Sequence, residues 1–437
     1  MLDIAFIREH PDAVKDALRQ LNADAPIDRI LELDRQRRDL LQEAEALRAE
    51  RNAGSKQVPT LMREGRLAEA EEMKQRMGGI GERIARLEHA LRQVETDSRE
   101  LQLWVPNLPH PSVPVGADES HNVVVRQSGE LRQFDFEPLP HWDLGETLGM
   151  IDFERGVKMS GTRFYAFRGA GAALHRALTN FFIDVGTREH GYTEVYPPFM
   201  VHEEAMVCAA HLPKFRDNMF HDAEEDFWFI GTAEVPLTNL YRDEILSVEQ
   251  LPMKLLAHTP CFRREKMSAG RDVRGIKRVH QFEKVEMYQL TTPEASCDGL
   301  ENLVADAEDL VRRLGLAYRV VQMCTGDLGF AAALKYDVEV WCPGSHEWME
   351  ISSCSNVTDF QARRANIRFR RQPKDRPQFV HTLNGSGLPP GRVMIAVIEN
   401  YQREDGTIGV PEALRSYMGG TEVISSLATT GDYRGQR

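Results

Sequence analysis

Apolar residues in the first quarter of the chain recur at alternating steps of three and four, the spacing of a coiled-coil seam. A first run consists of Ile30, Leu33, Leu40 and Leu47. A second, more regular run consists of Met73, Met77, Ile80, Ile84, Leu87, Leu91, Val94 and Leu101. The segment between the runs contains Gly54, Ser55, Pro59 and Gly65, which predicts a break there. We therefore predict an antiparallel coiled-coil hairpin over about 26–105, with helices of about 30 residues that each reach about 45 Å.

The pattern alone leaves two functions open for this hairpin. Most heptad runs join subunits, which favours an oligomerisation element. A short seam that closes on itself, and that Arg37 and Arg51 interrupt, is equally compatible with an arm that binds a partner. The residues before the hairpin predict one or two short helices, the second starting near Pro11.

The pattern changes after the hairpin. Prolines punctuate residues 104–114, which predicts a domain boundary between an N-terminal domain at 1–110 and a second domain at 116–437. Short apolar runs at 319–323, 337–341 and 393–398 predict strands joined by loops. The predicted fold class is α+β, with an N-terminal antiparallel α-helical coiled-coil arm and an antiparallel β-sheet domain flanked by helices.

Composition narrows the class of protein. Hydrophobic residues make up 42% and charged residues 28%, an ordinary balance for a protein that folds in water. No window approaches the roughly 18 apolar residues that cross a bilayer. The N-terminus does not resemble a secretory signal, so we expect a cytoplasmic protein without a membrane partner. The six cysteines lack a CxxC pair, which favours reduced structural thiols. The net charge of −13 confines any nucleic-acid contact to a local basic patch.

Residues 258–290 carry the strongest chemical signal and predict a strand, a basic loop and a second strand. Period-two alternation places Phe282, Lys284, Glu286 and Tyr288 on one face of the second strand. The cations of the loop region are Arg263, Arg264, Lys266, Arg271, Arg274, Lys277 and Arg278. Such a cluster can hold triphosphate oxygens through charge-assisted hydrogen bonds. A solvated charged hairpin contains the same residue types, so the composition of the loop does not decide.

Three stretches resemble the three motifs of class II aminoacyl-tRNA synthetases, in the same order. GYTEVYPPFM, with Pro198, resembles motif 1 (about 180–200), and CFRRE through Glu286 resembles motif 2 (about 258–290). GLPPGR with the apolar strand after it resembles motif 3 (about 387–415). Within that class the chain is similar to the seryl-tRNA synthetase family, through its hairpin and through TAEVPLT, HQFEKVEM, CTGDLGF, EISSCSN, DFQARR and HTLNGSG. The resemblance implies a tRNA-binding domain at 1–110 and a class II catalytic domain at 116–437.

The resemblance implies roles for residues around ATP. Arg263 is similar to the arginine that bridges the α-phosphate and the serine carboxylate, and Arg392 to the arginine that holds the γ-phosphate, which makes these two the catalytic residues. Glu265 would accept from the adenine amino group, and Phe282 would stack on the ring. The implied ATP-binding set is Arg263, Arg264, Glu265, Val279, Phe282, Glu350, Ile351, Ser352, Ser353 and Arg392.

The resemblance also implies a serine pocket. Thr232, Ala233 and Glu234 resemble the loop that receives the α-amino group, and Glu286 resembles the acceptor of the substrate hydroxyl. A buried acceptor would reject alanine, which cannot satisfy it. The remaining implied serine contacts are Arg263, Ser386 and Thr382.

The family further implies Mg²⁺ as cofactor, with ATP as a substrate. Glu350 and Ser353 are similar to the pair that ligates this ion, and hard oxygen ligands suit it. No zinc is expected, because the cysteine and histidine set of the zinc-dependent archaeal type is missing from the sequence. The implied partners are tRNA(Ser), L-serine and ATP, with tRNA(Sec) as a further substrate in an organism that has one. Motif 1 implies a homodimer.

Three other interpretations compete with this one. An amino acid ligase that loads a carrier protein would share the catalytic motifs but lack a long arm. A catalytically altered paralogue that acts as a tRNA-binding regulator would share both domains. A coiled-coil scaffold would account for residues 26–105 and for nothing after them.

Overall fold

The N-terminal helices form one of two compact units of the chain. The computed structural model describes residues 1–266 and 274–425. The first unit comprises Met1–Arg19 and Ala23–Pro106. The predicted short helices are confirmed, and Asp3 caps the first by accepting from the Ala5 amide at 2.8 Å. The helices of this region are α1 (Ile4–Glu9), α2 (Pro11–Gln20), α3 (Ile27–Arg63) and α4 (Leu67–Gln102).

Helices α3 and α4 form the predicted antiparallel hairpin. Ion pairs cross between them, from Arg37 Nε to Glu95 Oε1 at 3.0 Å and from Arg48 Nη2 to Glu88 Oε1 at 2.6 Å. As the residue number rises along α3 it falls along α4, as antiparallel helices require. The apolar seam between them buries Ile30, Leu33, Ala44, Met77 and Ile84.

The predicted break in the first helix is wrong in position. Helix α3 continues through Gly54, Ser55 and Pro59, and the turn is confined to residues 64–66. Gly54 is buried because α4 passes close to it, and a Cβ built there would lie 2.4 Å from the Met77 sulfur. The glycine therefore serves helix packing, while Gly65, at φ +75°, serves the turn. At 37 and 36 residues, each helix is about 55 Å long rather than the predicted 45 Å.

The second unit comprises Gln20–Asn22 and Asn107–Arg437 and is built on a large sheet. Its strands are β1 (Val123–Ser128), β2 (Ile151–Asp152), β3 (Ala166–Phe167), β4 (Thr193–Glu194), β5 (Met200–Val201), β6 (Trp228–Phe229), β7 (Ile245–Ser247), β8 (Met253–Phe262), β9 (Gln281–Thr291), β10 (Tyr318–Gln322), β11 (Leu334–Cys342), β12 (Glu347–Thr358), β13 (Arg368–Arg370), β14 (Gln378–Phe379), β15 (His381–Ser386), β16 (Ile408–Gly409) and β17 (Val423–Ile424). Among the described residues, eight of them form one sheet in the order β1-β10-β11-β12-β15-β9-β8-β4. All neighbours are antiparallel except β4 and β8, so the predicted antiparallel sheet is confirmed.

Helices cover this sheet and close its core. They are α5 (His141–Thr147), α6 (Phe153–Ser160), α7 (Ala170–Arg188), α8 (Glu203–Cys208), α9 (Glu234–Asn239), α10 (Ser296–Arg313), α11 (Phe360–Ala365), α12 (Pro390–Asn400) and α13 (Glu412–Arg415). Leu174 of α7, Leu303 of α10 and Ile395 of α12 belong to one buried cluster with Val285 and Met287 of β9. The inward Val/Met face of β9 is therefore core, as its alternation predicts.

The predicted strand at 393–398 is wrong, because these residues form most of helix α12. Pro390 starts the helix, a position that a proline without an N–H favours. Every residue of the helix except Arg392 is buried. A helix that is apolar on all sides carries no 3.6-residue pattern, so its sequence resembles that of a buried strand. The runs at 319–323 and 337–341 are strands, within one residue for the first.

Candidate active site

A cavity of about 340 Å³ lies where β9, β12 and β15 meet the start of α12 and the end of β8. Most of the predicted site residues line it. They are Thr232, Glu234, Arg263, Glu265, Val279, Phe282, Glu286, Glu350, Ser353, Ser386 and Arg392. These positions span 161 residues of sequence, from 232 to 392, so the sheet and not sequence proximity brings them together.

A β-bulge allows Glu350 and Ser353 to line the cavity together. Side chains three positions apart on a regular strand point to opposite faces. Between β11 and β12, Val338 pairs with Ser352 and the next residue, Glu339, pairs with Glu350. Ile351 therefore has no partner on β11 and is the extra residue of the bulge. The extra residue shifts the alternation, so both predicted metal ligands reach the same space.

One end of the cavity is built on Glu286 of β9, a buried carboxylate. Thr232 donates its hydroxyl to Glu286 Oε2 at 2.6 Å, and the ammonium group of Lys284 contacts the same oxygen. Burial raises the pKa of Glu286 and Glu234 adds to the rise, while Lys284 and Thr232 oppose it. Glu286 itself lines the cavity, and a carboxylate there can act as an acceptor for a small hydroxyl ligand.

Glu234, at the start of α9, is held by three side chains. Gln361 donates to its Oε1 at 2.5 Å and Asn384 donates to the same oxygen at 3.1 Å. His211 Nε2 lies 3.8 Å from Oε2. Burial alone would raise the pKa of Glu234, but His211, Lys284 and Gln361 together lower it below its ordinary value. A fixed, ionised carboxylate of this kind can receive an ammonium group.

Arg263 follows β8 and lines the cavity together with Glu234, Glu286 and Phe282. Its Nε donates to the Gly231 carbonyl at 3.1 Å, and its guanidinium carbon lies 5.1 Å above the centre of the Phe282 ring. His280 holds the backbone of Arg263, accepting from its amide at 2.9 Å and placing Nδ1 3.0 Å from its carbonyl oxygen. His280 thus acts through hydrogen bonds to the backbone, which is a structural role.

Arg392 and Glu350 form the other charged group. Arg392 Nη1 donates to the Glu350 carbonyl at 2.9 Å and lies 3.3 Å from its Oε2. Burial would raise the pKa of Glu350, but Arg392, Lys335 and Arg263 together lower it. The cavity therefore holds guanidinium groups with a planar donor geometry that matches phosphate oxygens.

Five predicted residues do not line the cavity. Ala233 and Ile351 are buried, and Ser352 donates to the Ser386 carbonyl at 2.7 Å. Thr382 donates to Gln361 at 2.7 Å and so lies behind Glu234. Arg264 stacks over Phe220, with its guanidinium carbon 5.1 Å from the ring centre. Of the predicted loop cations, Lys277 and Arg278 line the cavity, and Arg271 lies outside the described residues.

Several cavity residues were missed in the sequence. His211, Asn384 and Tyr165 line it, as does Lys284, which was placed on the correct strand face but given no role, and Gln361 donates to Glu234 from outside the cavity lining. Asn384 and Gln361 lie in two of the motif stretches, HTLNGSG and DFQARR. These stretches indicated the family resemblance, but no role was assigned to either residue. His211 lies in no motif, and only the tertiary fold shows its proximity to Glu234.

The donor set in the cavity fits a hard cation. Within residues 1–266 and 274–425, no group of three or more His, Cys, Asp or Glu side chains could hold a metal ion by itself. Glu350 and Ser353 offer two oxygen donors, which suits Mg²⁺, an ion that keeps waters and shares phosphate oxygens.

In the described part of the chain no helix is both long and apolar enough to cross a membrane.

Two family models match the chain. One, described as tRNA synthetase class II core domain (G, H, P, S and T), matches residues 215–401. The other, described as Seryl-tRNA synthetase N-terminal domain, matches residues 1–109. The first includes most residues of the cavity, and the second includes the helical hairpin.

Similar proteins cover nearly the whole chain. The serine–tRNA ligase of Thermomicrobium roseum is 60% identical over 428 residues, which are 97% of this chain and 95% of that one. The crystal structure of seryl-tRNA synthetase from Pyrococcus horikoshii, complexed with ATP, has a TM-score of 0.91 at 38% identity and covers 98% of this chain and 100% of that one. The cytoplasmic serine–tRNA ligase of Naegleria fowleri, in complex with AMP, has a TM-score of 0.86 at 31% identity, covering 98% and 99%. On sequence, fold and both domain models, the chain belongs to the seryl-tRNA synthetase family of class II aminoacyl-tRNA synthetases.

Proposed function

We propose that this chain activates L-serine with ATP and transfers the serine to the 3′ end of tRNA(Ser). In the first step a carboxylate oxygen of serine bonds to the α-phosphorus of ATP, and the bond from that phosphorus to the bridging oxygen breaks. Seryl-adenylate and pyrophosphate result. The observation that carries the proposal is the position of Arg263, which lines the same cavity as Glu234 and Glu286 and lies 5.1 Å from the centre of the Phe282 ring.

The chemistry requires positioning and charge neutralisation rather than a base. The serine carboxylate is already ionised, whereas both reactants are anionic and repel each other. Arg263 would contact the carboxylate and the α-phosphate, and Arg392 would hold the γ-phosphate. Phe282 offers a face for adenine, and Glu265 an acceptor for its amino group. Glu350 and Ser353 would hold Mg²⁺, which when bound neutralises phosphate charge.

Two carboxylates account for the choice of serine. Glu234, kept ionised by its lowered pKa, would receive the α-ammonium group. Glu286, already fixed by Thr232 and Lys284, would accept the side-chain hydroxyl. Alanine leaves that buried acceptor without a donor, and a site built to bond a hydroxyl rejects such an analogue strongly.

The other parts of the proposal concern tRNA and assembly. The N-terminal domain (1–110) would bind tRNA through its hairpin, by shape and backbone contacts, and the domain at 116–437 would catalyse both steps. We further propose a cytoplasmic homodimer that joins through motif 1, and serylation of tRNA(Sec) where that tRNA exists. The match of residues 1–109 to a seryl-tRNA synthetase N-terminal domain supports a tRNA partner over a carrier protein.

ATP–pyrophosphate exchange with each common amino acid in turn tests the activation step. Exchange that depends on serine and Mg²⁺ is expected. Absence of exchange from folded protein would favour the altered paralogue that only binds tRNA.

Sedimentation of the purified chain tests the dimer, and a monomer at working concentration would refute it.

A further inference from the structure

A buried histidine outside the catalytic motifs contacts the segment that leads into β9. His141 begins α5, and its side chain is 3% exposed. On one side it meets Glu399 of α12, and on the other it meets Ile276. Because the three residues come from distant parts of the chain, the fold alone assembles this group.

Glu399 is a fully buried carboxylate held by five hydrogen bonds. Its Oε1 lies 3.1 Å from the His141 amide and 2.9 Å from His141 Nδ1. Its Oε2 accepts from the amides of Gly344 and Ser345, both at 3.0 Å, and from the Ser345 hydroxyl at 3.1 Å. A carboxylate with this many donors is fixed in place and can orient its histidine.

The hydrogen bonds also determine the tautomer of His141. The Ile276 amide, 3.2 Å from Nε2, can only donate, so Nε2 must be the unprotonated acceptor. Nδ1 therefore carries the proton and donates to Glu399. The neighbouring Gly275 permits the close approach, since a Cβ at this position would lie 2.1 Å from Nε2 and its φ is +75°.

The segment that His141 holds continues directly into the active-site cavity. Ile276, Lys277, Arg278 and Val279 all line it, and Lys277 donates to Glu347 at 2.6 Å. We infer that His141, oriented by Glu399, is a positioning residue that fixes residues 276–279 for ATP. This inference rests on the proposed function, because ATP is the ligand assigned to that part of the cavity.

Two conservative replacements test separately the two hydrogen bonds of the His141 imidazole, one to Glu399 and one from the Ile276 amide. An asparagine amide lies near the position of Nδ1, so His141→Asn keeps the donor to Glu399 and loses the acceptor for Ile276. A glutamine amide reaches the position of Nε2, so His141→Gln keeps an acceptor for Ile276. In serine-dependent exchange, His141→Asn should raise the KM for ATP roughly tenfold, as expected from one lost buried hydrogen bond. The KM for ATP of His141→Gln should stay within about threefold of the wild-type value. In both variants the KM for serine should change less than about twofold.

His346→Asn is the matched control, because this exposed histidine lies 3.6 Å from the exposed Glu137 carboxylate and neither residue is among those that line the cavity. A wild-type KM for ATP in His141→Asn, or an equal rise in both KM values, would overturn the inference. A larger effect in His141→Gln than in His141→Asn would also overturn it.

Amide hydrogen exchange at Ile276 gives a readout that does not depend on enzyme activity. The inference predicts strong protection in the wild-type protein and loss of protection in His141→Asn. Fast exchange at Ile276 in the wild-type chain would overturn it even if His141→Asn did not fold. Wild-type protein could lack serine-dependent ATP–pyrophosphate exchange while its Ile276 amide is protected from hydrogen exchange. In that case the proposed function fails, while the structural part of the inference stands.

Discussion

Replacing Glu234 by glutamine tests the proposed ammonium site with little change of shape. The amide oxygen can take the place of Oε1 and still accept from Gln361 and Asn384. The amide NH₂ must then take the place of Oε2, where it presents donors to the substrate ammonium group. The variant therefore loses a charged acceptor and gains a repulsive contact in a single step.

The size of the effect follows from these contacts. A hydrogen bond to a charged group contributes about 1.5–3 kcal/mol. Because the site is buried and the replacement places donor against donor, we expect the upper end, about 3 kcal/mol, or a fall of roughly 140-fold in kcat/KM for serine. The KM for ATP should change less than about threefold, since Glu234 belongs to the end of the cavity where serine is proposed to bind.

Serine-dependent ATP–pyrophosphate exchange measures both constants. Glu283→Gln is the matched control, because Glu283 also lines the cavity but pairs with His258 at 2.9 Å on the other face of β9. Inhibition by 3-hydroxypropanoate, which lacks the amino group, should be unchanged in Glu234→Gln. A serine kcat/KM within threefold of wild type, or an equal loss in Glu283→Gln, would refute the assignment.

Four further predictions concern Arg392, Ile84, the pH dependence at Glu234, and Thr232. Arg392→Lys should lower kcat/KM for ATP by roughly tenfold in the ATP–pyrophosphate exchange assay, because lysine cannot reproduce the planar, two-donor contact of a guanidinium group. An unchanged kcat/KM would contradict the role proposed for Arg392. Ile84→Ala, which empties a buried position of the hairpin seam, should destabilise the hairpin by about 2–4 kcal/mol in urea denaturation followed by circular dichroism, while serine-dependent exchange stays within twofold. The lowered pKa of Glu234 means that its carboxylate stabilises the fold above the ordinary carboxyl range, and that this contribution is lost as the pH falls through the lowered value. The difference in unfolding free energy between wild type and Glu234→Gln should therefore be larger at about pH 7 than at about pH 4; the opposite order would contradict the direction of the pKa shift. Finally, Thr232→Val, which removes a 2.6 Å donor to Glu286 at nearly constant volume, should lower kcat/KM for serine by roughly tenfold without changing the KM for ATP.

Local patterns in the sequence predicted the hairpin and the sheet well. Heptad spacing identifies α3 and α4 because their buried positions recur on one side only. The same reasoning failed at residues 393–398, since a helix buried on every side has no polar face to reveal its period. It also placed the break too early, because Gly54 serves packing against Met77 and not a turn.

The active site was predictable as far as motifs extend and no further. Glu286, Arg263 and Arg392 come together as the family resemblance implies. The joint position of Glu350 and Ser353 depends on a bulge at Ile351 that period-two alternation does not predict. His211, Gln361 and His141 act through tertiary contacts with residues far away in the sequence, and no spacing rule reveals such contacts.

Charging of a tRNA(Ser) transcript with labelled serine tests the central claim most directly, because it requires activation and transfer in one measurement. The account predicts that serine becomes attached to the 3′ end in the presence of ATP and Mg²⁺, and that neither alanine nor threonine does so at comparable rates. Folded protein that leaves the transcript uncharged, or that charges it with another amino acid in preference to serine, would contradict it.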